Sequence, residues 1–590
     1  MPRPLDTRAL SQAVASAREL LLAARGPEGH WLGELSSSAL STATAVGALA
    51  LMDPAAHEPL IRKGVRWLAA HQNPDGGWGD TVQSHSNLST TALVWAALGV
   101  TGGQAPVVAD AEAWLTRAAG GLEPERLAET IAARYGADRT FSAPILTMCA
   151  LAGRLGQGRA AWRHVAPLPF ELAACPHRLY KWLGLPVVSY ALPALIAIGQ
   201  ARFRHAPPRN PIARVVRHAL RAKSLRVLQR TQPESGGFLE AVPITSFVAM
   251  SLASVGEARH PVAARAAEFL LRTVRPDGSW PIEVNLATWT TSLSVSALGE
   301  ALPQEARQPI LDWLFAQQHR VEHPYTHAEP GGWAWTDLSG GVPDADDTAG
   351  ALLAIRHLQA DSPHSAVAAG VFWLLGLQNR DGGIPTFCRG WGKLPFDRSA
   401  PDLTAHALLA WHTWFSDLVP ALRPRVESAM RRAITFLERS QRPDGSWVPL
   451  WFGNEAAPDE ANPTYGTARV LMALAGIPRA SMHALKRGTD WLLSAQNPDG
   501  GWGGAPGVPS SVEETALALD ALARLPGKPP LPVLSSGARW LIEHTDYGRT
   551  FSAAPIGLYF AKLWYSEKLY PLIFTVGALG RVLELTRRAR

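Results

Sequence analysis

Sulfur is scarce in this chain. It has three cysteines in 590 residues, Cys149, Cys175 and Cys388, and no Cys-x-x-Cys pair. An odd count without paired spacing argues against a disulfide framework and a structural zinc site, and fits a reducing cytoplasm. Charge is thin as well. Only 18% of the residues are charged, and the net is +6 from 56 basic and 50 acidic side chains. The single dense basic run is the tail Arg587-Arg588-Ala589-Arg590, so no nucleic-acid partner is expected. The mild basic excess suits an anionic membrane surface. The start, Met1-Pro2-Arg3-Pro4-Leu5-Asp6, lacks the apolar core of a secretory signal. Long apolar runs are also missing. The longest uncharged one, residues 182–199, is marginal for a membrane span and carries Pro186 and Pro193 inside it. It reads as a buried helix pair, or as a greasy surface that dips into one leaflet or walls a channel. A transmembrane helix is the weakest of these readings. Strand signals are nearly absent.

What the chain has instead is a repeat, and a period of this kind means a solenoid or a closed helical array. Its core is an aromatic, a helical turn, then Gln-x-Pro-Asp-Gly-Gly/Ser-Trp. Trp67 leads to Gln72 through Trp78, Trp491 to Gln496 through Trp502, and Phe436 to Gln441 through Trp447. Trp373 leads to Gln378 through Ile384, where the last Trp is lost, and Phe269 leads to Trp280 with Val274 in place of Gln. Weaker copies are Gln232 to Phe238 and Gly29-His30-Trp31. Pro-Asp-Gly is a strong turn. The residues that follow, such as Ser89 to Leu98 and Glu514 to Leu522, carry apolar side chains at helical spacing. The unit is helix, turn, helix. The Gln is expected to hydrogen-bond the free amides that open the next helix, and the Trp to stack over the turn. These tryptophans staple the fold and do no chemistry.

Three aspartates crowd into four positions at Asp344-Ala345-Asp346-Asp347, followed by Thr348 and Ala349. Like charges this close raise one another's pKa, so the cluster can retain a proton and give it away as an acid. Taken alone, the string can equally cap a helix or bind Mg²⁺.

The repeats resemble the QW motifs of squalene-hopene cyclases, and the cluster resembles the DxDD motif of class II terpene cyclases. Asp402-Leu403-Thr404-Ala405-His406 is similar to the family's DxTAH segment. The resemblance implies an all-α chain of two α/α barrels with a cavity between them. Residues 1–35 would join the C-terminal barrel, 36–285 would form the N-terminal barrel and 286–590 the C-terminal one. It implies Asp346 as the proton donor, flanked by Asp344 and Asp347. His406, donating to Asp346 when protonated, would make the proton easier to release. Asp402, one helical turn from His406, would orient the ring or keep it charged, and Tyr465 would help return a proton through water. Trp289, Trp335, Trp451, Tyr559 and Phe387 would line the cavity and stabilise carbocations through their faces. No metal or cofactor is required. The expected substrate is squalene or a related linear isoprenoid drawn from the cytoplasmic side of a membrane by a monotopic protein, with a homodimer as a candidate assembly.

The chain also departs from the pattern. After Gly383 it runs directly into Ile384-Pro385-Thr386-Phe387-Cys388, without the family's usual loop. Glu455 to Pro463 is an insertion, and Pro186, Pro555 and Leu563 stand where aromatics are common. Arg389, Lys393 and Arg398 read as surface charges or as a diphosphate clamp. Two rivals therefore stand beside the squalene reading. One is a cyclase of another isoprenoid or a prenyl diphosphate. The other is a non-catalytic α/α scaffold, against which the intact acid motifs weigh.

Overall fold

A computed structural model describes residues 5–136, 139–176, 179–180, 191–324, 326–358, 365–387, 395–477, 481–527, 529–557 and 562–588. Helices carry the described chain. The one sheet among the described residues is a two-residue ribbon in which Ser37 pairs with Pro281 and Ser38 with Trp280.

The helices form two rings. In the first, Ala39–Met52, Leu88–Thr101, Arg139–Leu151, Leu192–His205 and Val242–Ser254 follow one another, and the last packs back on the first. In the second, the order is Ala287–Leu298, Ala345–Leu358, Pro401–Trp414, Pro463–Ala475, Val512–Ala523 and Tyr570–Arg588, again closing on the first. The inner helices are flanked on both sides, and several, such as Ala39–Met52, Leu88–Thr101 and Val242–Ser254, are buried nearly all round. Every residue from Leu88 to Leu98 is buried. An outer helix such as Glu58–Ala70 buries one stripe, Ile61, Gly64, Trp67 and Leu68, at the spacing of an amphipathic helix. Helix Thr7–Ala23 packs on Tyr570–Arg588 and Leu531–His544, as an outer helix of the second ring.

The repeat turns are stapled in one recurring geometry. Gln72 Nε2 donates to Gly76 O at 2.8 Å and to Val107 O, in the next outer helix, at 3.1 Å. Gln232, Gln378, Gln441 and Gln496 do the same. The glutamine therefore donates to carbonyls, and does not accept from the free amides expected above. Its NH₂ group spans two carbonyls, one from its own turn and one from the neighbouring helix. Trp78 Nε1 donates to Leu68 O at 2.8 Å, and its backbone N–H donates to Thr91 Oγ1 at 3.0 Å. The same pair of bonds recurs at Trp31, Trp280, Trp333, Trp447 and Trp502. The threonine, at the start of the following inner helix, is a third element of the repeat that the sequence reading did not single out. Where the Trp is lost, Ile384 N still donates to Thr404 Oγ1 at 2.9 Å.

Two copies close the rings. Trp280 N bonds to Thr42 in the first ring, and Trp31 N bonds to Thr291 in the second. A further copy emerges at Gln318, which donates to Gly331 O and Ala366 O across an insertion ahead of Trp333. The turn glycine is obligatory here. Gly382 has φ +95°, and a Cβ there would stand 2.4 Å from the Arg432 carbonyl oxygen.

Candidate active site

Helix Ala345–Leu358 opens at the aspartate cluster. Asp344 Oδ1 accepts from Asp347 N at 2.8 Å, so Asp344 takes the helix-capping role that the motif on its own would suggest. Thr348 Oγ1 donates to Asp344 O at 2.6 Å and ties the turn to the helix. Burial pushes the Asp344 carboxyl up to about 7; its hydrogen bonds with Asp347 oppose the rise and ionised Asp346 adds to it. Burial, then the charge of Asp344 and a shared side-chain hydrogen bond, hold Asp347 well above the usual carboxylate range. Both carboxyls are thus shifted toward the protonated form and share a side-chain hydrogen bond.

Asp346 differs from both. Its Oδ1 lies 2.5 Å from His406 Nδ1, and its side chain keeps 15% of its surface free. Burial works to raise its pKa, but the His406 charge and hydrogen bond and the Arg469 charge outweigh burial and lower it. One oxygen is thus committed to His406 and the carboxyl borders open space. On His406, burial is the largest effect and lowers the pKa, Asp346 opposes it and Arg469 reinforces it.

Asp402 does not orient His406. It stands one turn away on helix Pro401–Trp414, but its Oδ1 accepts from Leu450 N at 3.2 Å and its Oδ2 is buried without a partner. The free amide of the 450 loop captures the side chain that i, i+4 spacing would otherwise offer to the imidazole. Burial and then Asp346 push its pKa up to about 7. Tyr465 is buried, with its ring 4.5 Å from Phe452 and the Arg469 guanidinium 5.9 Å from its centroid.

Asp346 faces a cavity of about 270 Å³ between the rings. Leu40, Leu93, Phe141 and Phe247 of the first ring line one side, and Trp289, Trp335, Phe387 and Trp451 line the other. The aromatics are fixed against one another. Phe387 meets Trp451 edge-on at 5.8 Å and Trp335 at 6.1 Å. Trp451 Nε1 donates to Thr386 Oγ1 at 3.0 Å, and Trp289 presents an edge-to-face contact to His406 at 6.0 Å. The four described aromatic candidates therefore share one cavity with the acid. Tyr559, Arg389, Lys393 and the first part of the apolar segment, 182–190, lie outside the described residues. Arg398 is exposed and Trp333 is a buried staple; neither lines this cavity.

Several lining residues escaped the sequence reading. Phe396, Phe452, Tyr565 and Tyr570 complete the aromatic wall. Glu283 also lines it, pushed up to about 8 by burial, then by Glu240 and Asp344. Arg469 was missed although it follows Tyr465 by one turn of the same helix, because an arginine inside a helix reads as solvent-facing. Among the described residues no group of three His, Cys, Asp or Glu side chains is arranged to hold a metal ion. The arrangement can protonate a carbon inside an aromatic chamber: of the four carboxyls among the described lining residues, Asp346 is the one paired with His406, and no described lining side chain is a strong nucleophile.

Comparison with known proteins agrees with this geometry. The squalene-hopene cyclase C-terminal domain matches residues 285–516 and the N-terminal domain matches residues 14–185. A terpene cyclase-glycosyl transferase fusion protein of Humicola fuscoatra is 27% identical over 98% of this chain; the chain spans 50% of that protein's length. A probable squalene-hopene cyclase of Sinorhizobium fredii is 26% identical, with 91% of each chain covered. In fold, the chain resembles ent-copalyl diphosphate synthase from Streptomyces platensis, with TM-score 0.59 and 20% identity over 98% of this chain and 99% of that one. The chain belongs to the squalene-hopene cyclase family of class II terpene cyclases.

Proposed function

We propose that this cyclase takes squalene and closes it to a hopene-type product, with Asp346 as the proton donor. The observation that carries this reading is the lining of the cavity. Apart from Asp344, Asp346, Asp347, Glu283 and a few hydroxyls, the described lining is hydrocarbon and aromatic, with no Lys or Arg among the described residues. A diphosphate would need cationic donors there; a neutral polyene needs none.

In this mechanism the π electrons of a terminal isoprene double bond take the proton from the cavity-facing oxygen of Asp346. A tertiary carbocation forms, and Asp346 is left as an anion hydrogen-bonded to His406. Each further double bond attacks the cation ahead of it, and the faces of Trp289, Trp335, Trp451 and Phe387 stabilise the moving charge, each by about 0.5–2 kcal/mol. Positioning of the folded polyene supplies much of the rest. Loss of one proton from the last cation to solvent ends the sequence and Asp346 takes up a proton from solvent before the next turnover, so the reaction is an isomerisation. Asp344 and Asp347, whose pKa values are raised, retain a separate proton and leave Asp346 the residue of the cluster that discharges. The scaffold reading gives no reason for a 2.5 Å acid–imidazole pair at a cavity wall.

Membrane attachment on the cytoplasmic side belongs to the same proposal. Ile212 and Val215 are 73% and 69% exposed, with Leu172, Leu179 and Val216 also exposed. They accompany helix Pro211–Thr231, which has Arg214, Arg217, Arg221, Lys223, Arg226 and Arg230 and no acidic residue. Apolar side chains among cations fit an anionic lipid surface. Among the described residues no helix is long and apolar enough to cross a membrane.

The test is incubation of the purified protein in detergent with squalene, oxidosqualene and geranylgeranyl diphosphate, with product identification. A pentacyclic product from squalene alone is expected. Turnover of geranylgeranyl diphosphate with squalene untouched would replace this reading with the prenyl-diphosphate one.

A further inference from the structure

The acid pair is a wall between two spaces. Asp346 lines the cavity between the rings. His406 lines a second cavity, of about 180 Å³, inside the bore of the second ring, where all the inner helices of that ring contribute side chains. Arg469 of helix Pro463–Ala475 stands in that bore, with Nη2 3.5 Å from the same His406 Nδ1 that meets Asp346. The other two arginines there are already paired. Arg524 Nε and Arg581 Nε bond to Asp520 Oδ1 at 3.0 and 2.9 Å. Arg469 has no carboxylate at salt-bridge distance among the described residues.

We infer that Arg469 is a positioning residue whose fixed positive charge, acting through His406 from the bore side, makes Asp346 a strong acid. A buried guanidinium whose attracting carboxyls, Asp346, Asp402 and Asp520, all stand beyond salt-bridge distance is costly to hold. While Asp346 carries its proton, that cost stands. When Asp346 gives the proton away, its carboxylate becomes the missing counter-charge, so discharge of the acid relieves the cost. An arginine holds its charge at every working pH, which an imidazole does not. Two cations meeting at one nitrogen oppose each other, so Arg469 lowers the pKa of His406; the His406 charge is the larger influence on Asp346, and the Arg469 charge adds to it and stays when the imidazole is neutral. The other ionisable groups facing this centre are Asp344 and Asp347 beside Asp346, Asp402 from the His406 helix, Tyr465 from the Arg469 helix, Asp520 and Arg524 from Val512–Ala523, Arg581 from Tyr570–Arg588 and His357 from Ala345–Leu358. Helix Ala287–Leu298 offers Trp289, Ser292 and Ser296, none of which is charged near neutral pH.

The inference rests on Asp346 being the donor, and its test separates the two claims. Arg469→Met and Arg469→Lys are compared with the parent protein and with Asp346→Asn, each checked for folding by its thermal midpoint. The first readout is the infrared band of the Asp346 carboxyl, isolated by difference against Asp346→Asn and followed through pH. An opposite charge at this range lowers a carboxyl by about 1–3 pH units. The Asp346 midpoint is therefore expected to rise by about that much in Arg469→Met and to stay near the parent value in Arg469→Lys. The second readout is turnover of squalene: kcat falling about 10–100-fold in Arg469→Met, with KM unchanged because Arg469 does not line the substrate cavity, and recovering in Arg469→Lys. An unmoved Asp346 midpoint in folded Arg469→Met overturns the inference, even if Asp346→Asn is inactive. Activity surviving in Asp346→Asn overturns the donor assignment and leaves the infrared result to decide the electrostatics.

Discussion

Buried carboxyls give this protein an unusual response to pH, and Glu513 isolates it. Glu513 sits at the start of helix Val512–Ala523, 1% exposed. Its Oε1 accepts from Ala554 N at 2.8 Å and its Oε2 has no partner. Burial, then the neighbouring Glu514, pushes its pKa up to about 8, whereas a glutamate in an unfolded chain titrates near about 4.3. Between these values the folded protein binds a proton that the unfolded chain does not. Stability from this group is therefore complete below the unfolded pKa and drains away as pH rises through the folded one. The slope is about 1.4 kcal/mol per pH unit for the single proton, or roughly 3 kcal/mol between pH 5 and 7. Glu513→Gln keeps the shape and removes the titration. Urea unfolding followed by tryptophan fluorescence at pH 5, 6, 7 and 8 is the assay, together with proton release on unfolding at pH 7. The variant is expected to lose stability with pH less steeply than the parent by that slope, and to release about one proton fewer on unfolding. Equal slopes and equal proton release, or a parent protein that gains stability over this window, would refute the reasoning.

Two further outcomes follow from the site and the staples. Gln441→Ala removes two side-chain bonds, to Gly445 O and Ala484 O, and leaves those carbonyls short of a donor; a loss of about 1–3 kcal/mol in stability, with the product pattern unchanged, is expected by calorimetry and product analysis. Trp451→Leu takes an aromatic face from the cavity and its bond to Thr386; incompletely cyclised products should accumulate by gas chromatography, while proton exchange into the terminal double bond continues.

Much of this architecture was legible because its determinants are local. A Pro-Asp-Gly turn between a striped helix and a uniformly apolar one dictates outer and inner helices, while the closure of the arrays was implied by the family resemblance and not by the repeats. Even the faint copy at Trp31 makes both of its staple bonds. The Asp346–His406 contact was legible as a pair of motifs, although they lie 60 residues apart. What stayed hidden depends on competition in three dimensions. Asp402 has the right spacing for His406 yet satisfies the Leu450 amide. The glutamines were given the wrong polarity because sequence shows the free amides of a helix start but not the carbonyl beside them. The repeat at Gln318 was concealed by the insertion before Gly331, and Trp333 and Trp335 stand two residues apart although one is a staple and the other lines the cavity. Arg469 and Glu283 are ionisable groups in the interior, and no local pattern distinguishes them from those on the surface.

The central claim is that Asp346 delivers the proton. Turnover of squalene by the parent protein and by Asp346→Asn, in deuterated water with mass analysis of the product, tests it most directly. The amide cannot act as the acid, so the account predicts one deuterium in the parent's cyclic product, at the first-ring methylene formed from the CH carbon of the terminal double bond, and no cyclic product from the folded variant. Cyclisation at an undiminished rate in Asp346→Asn would contradict it.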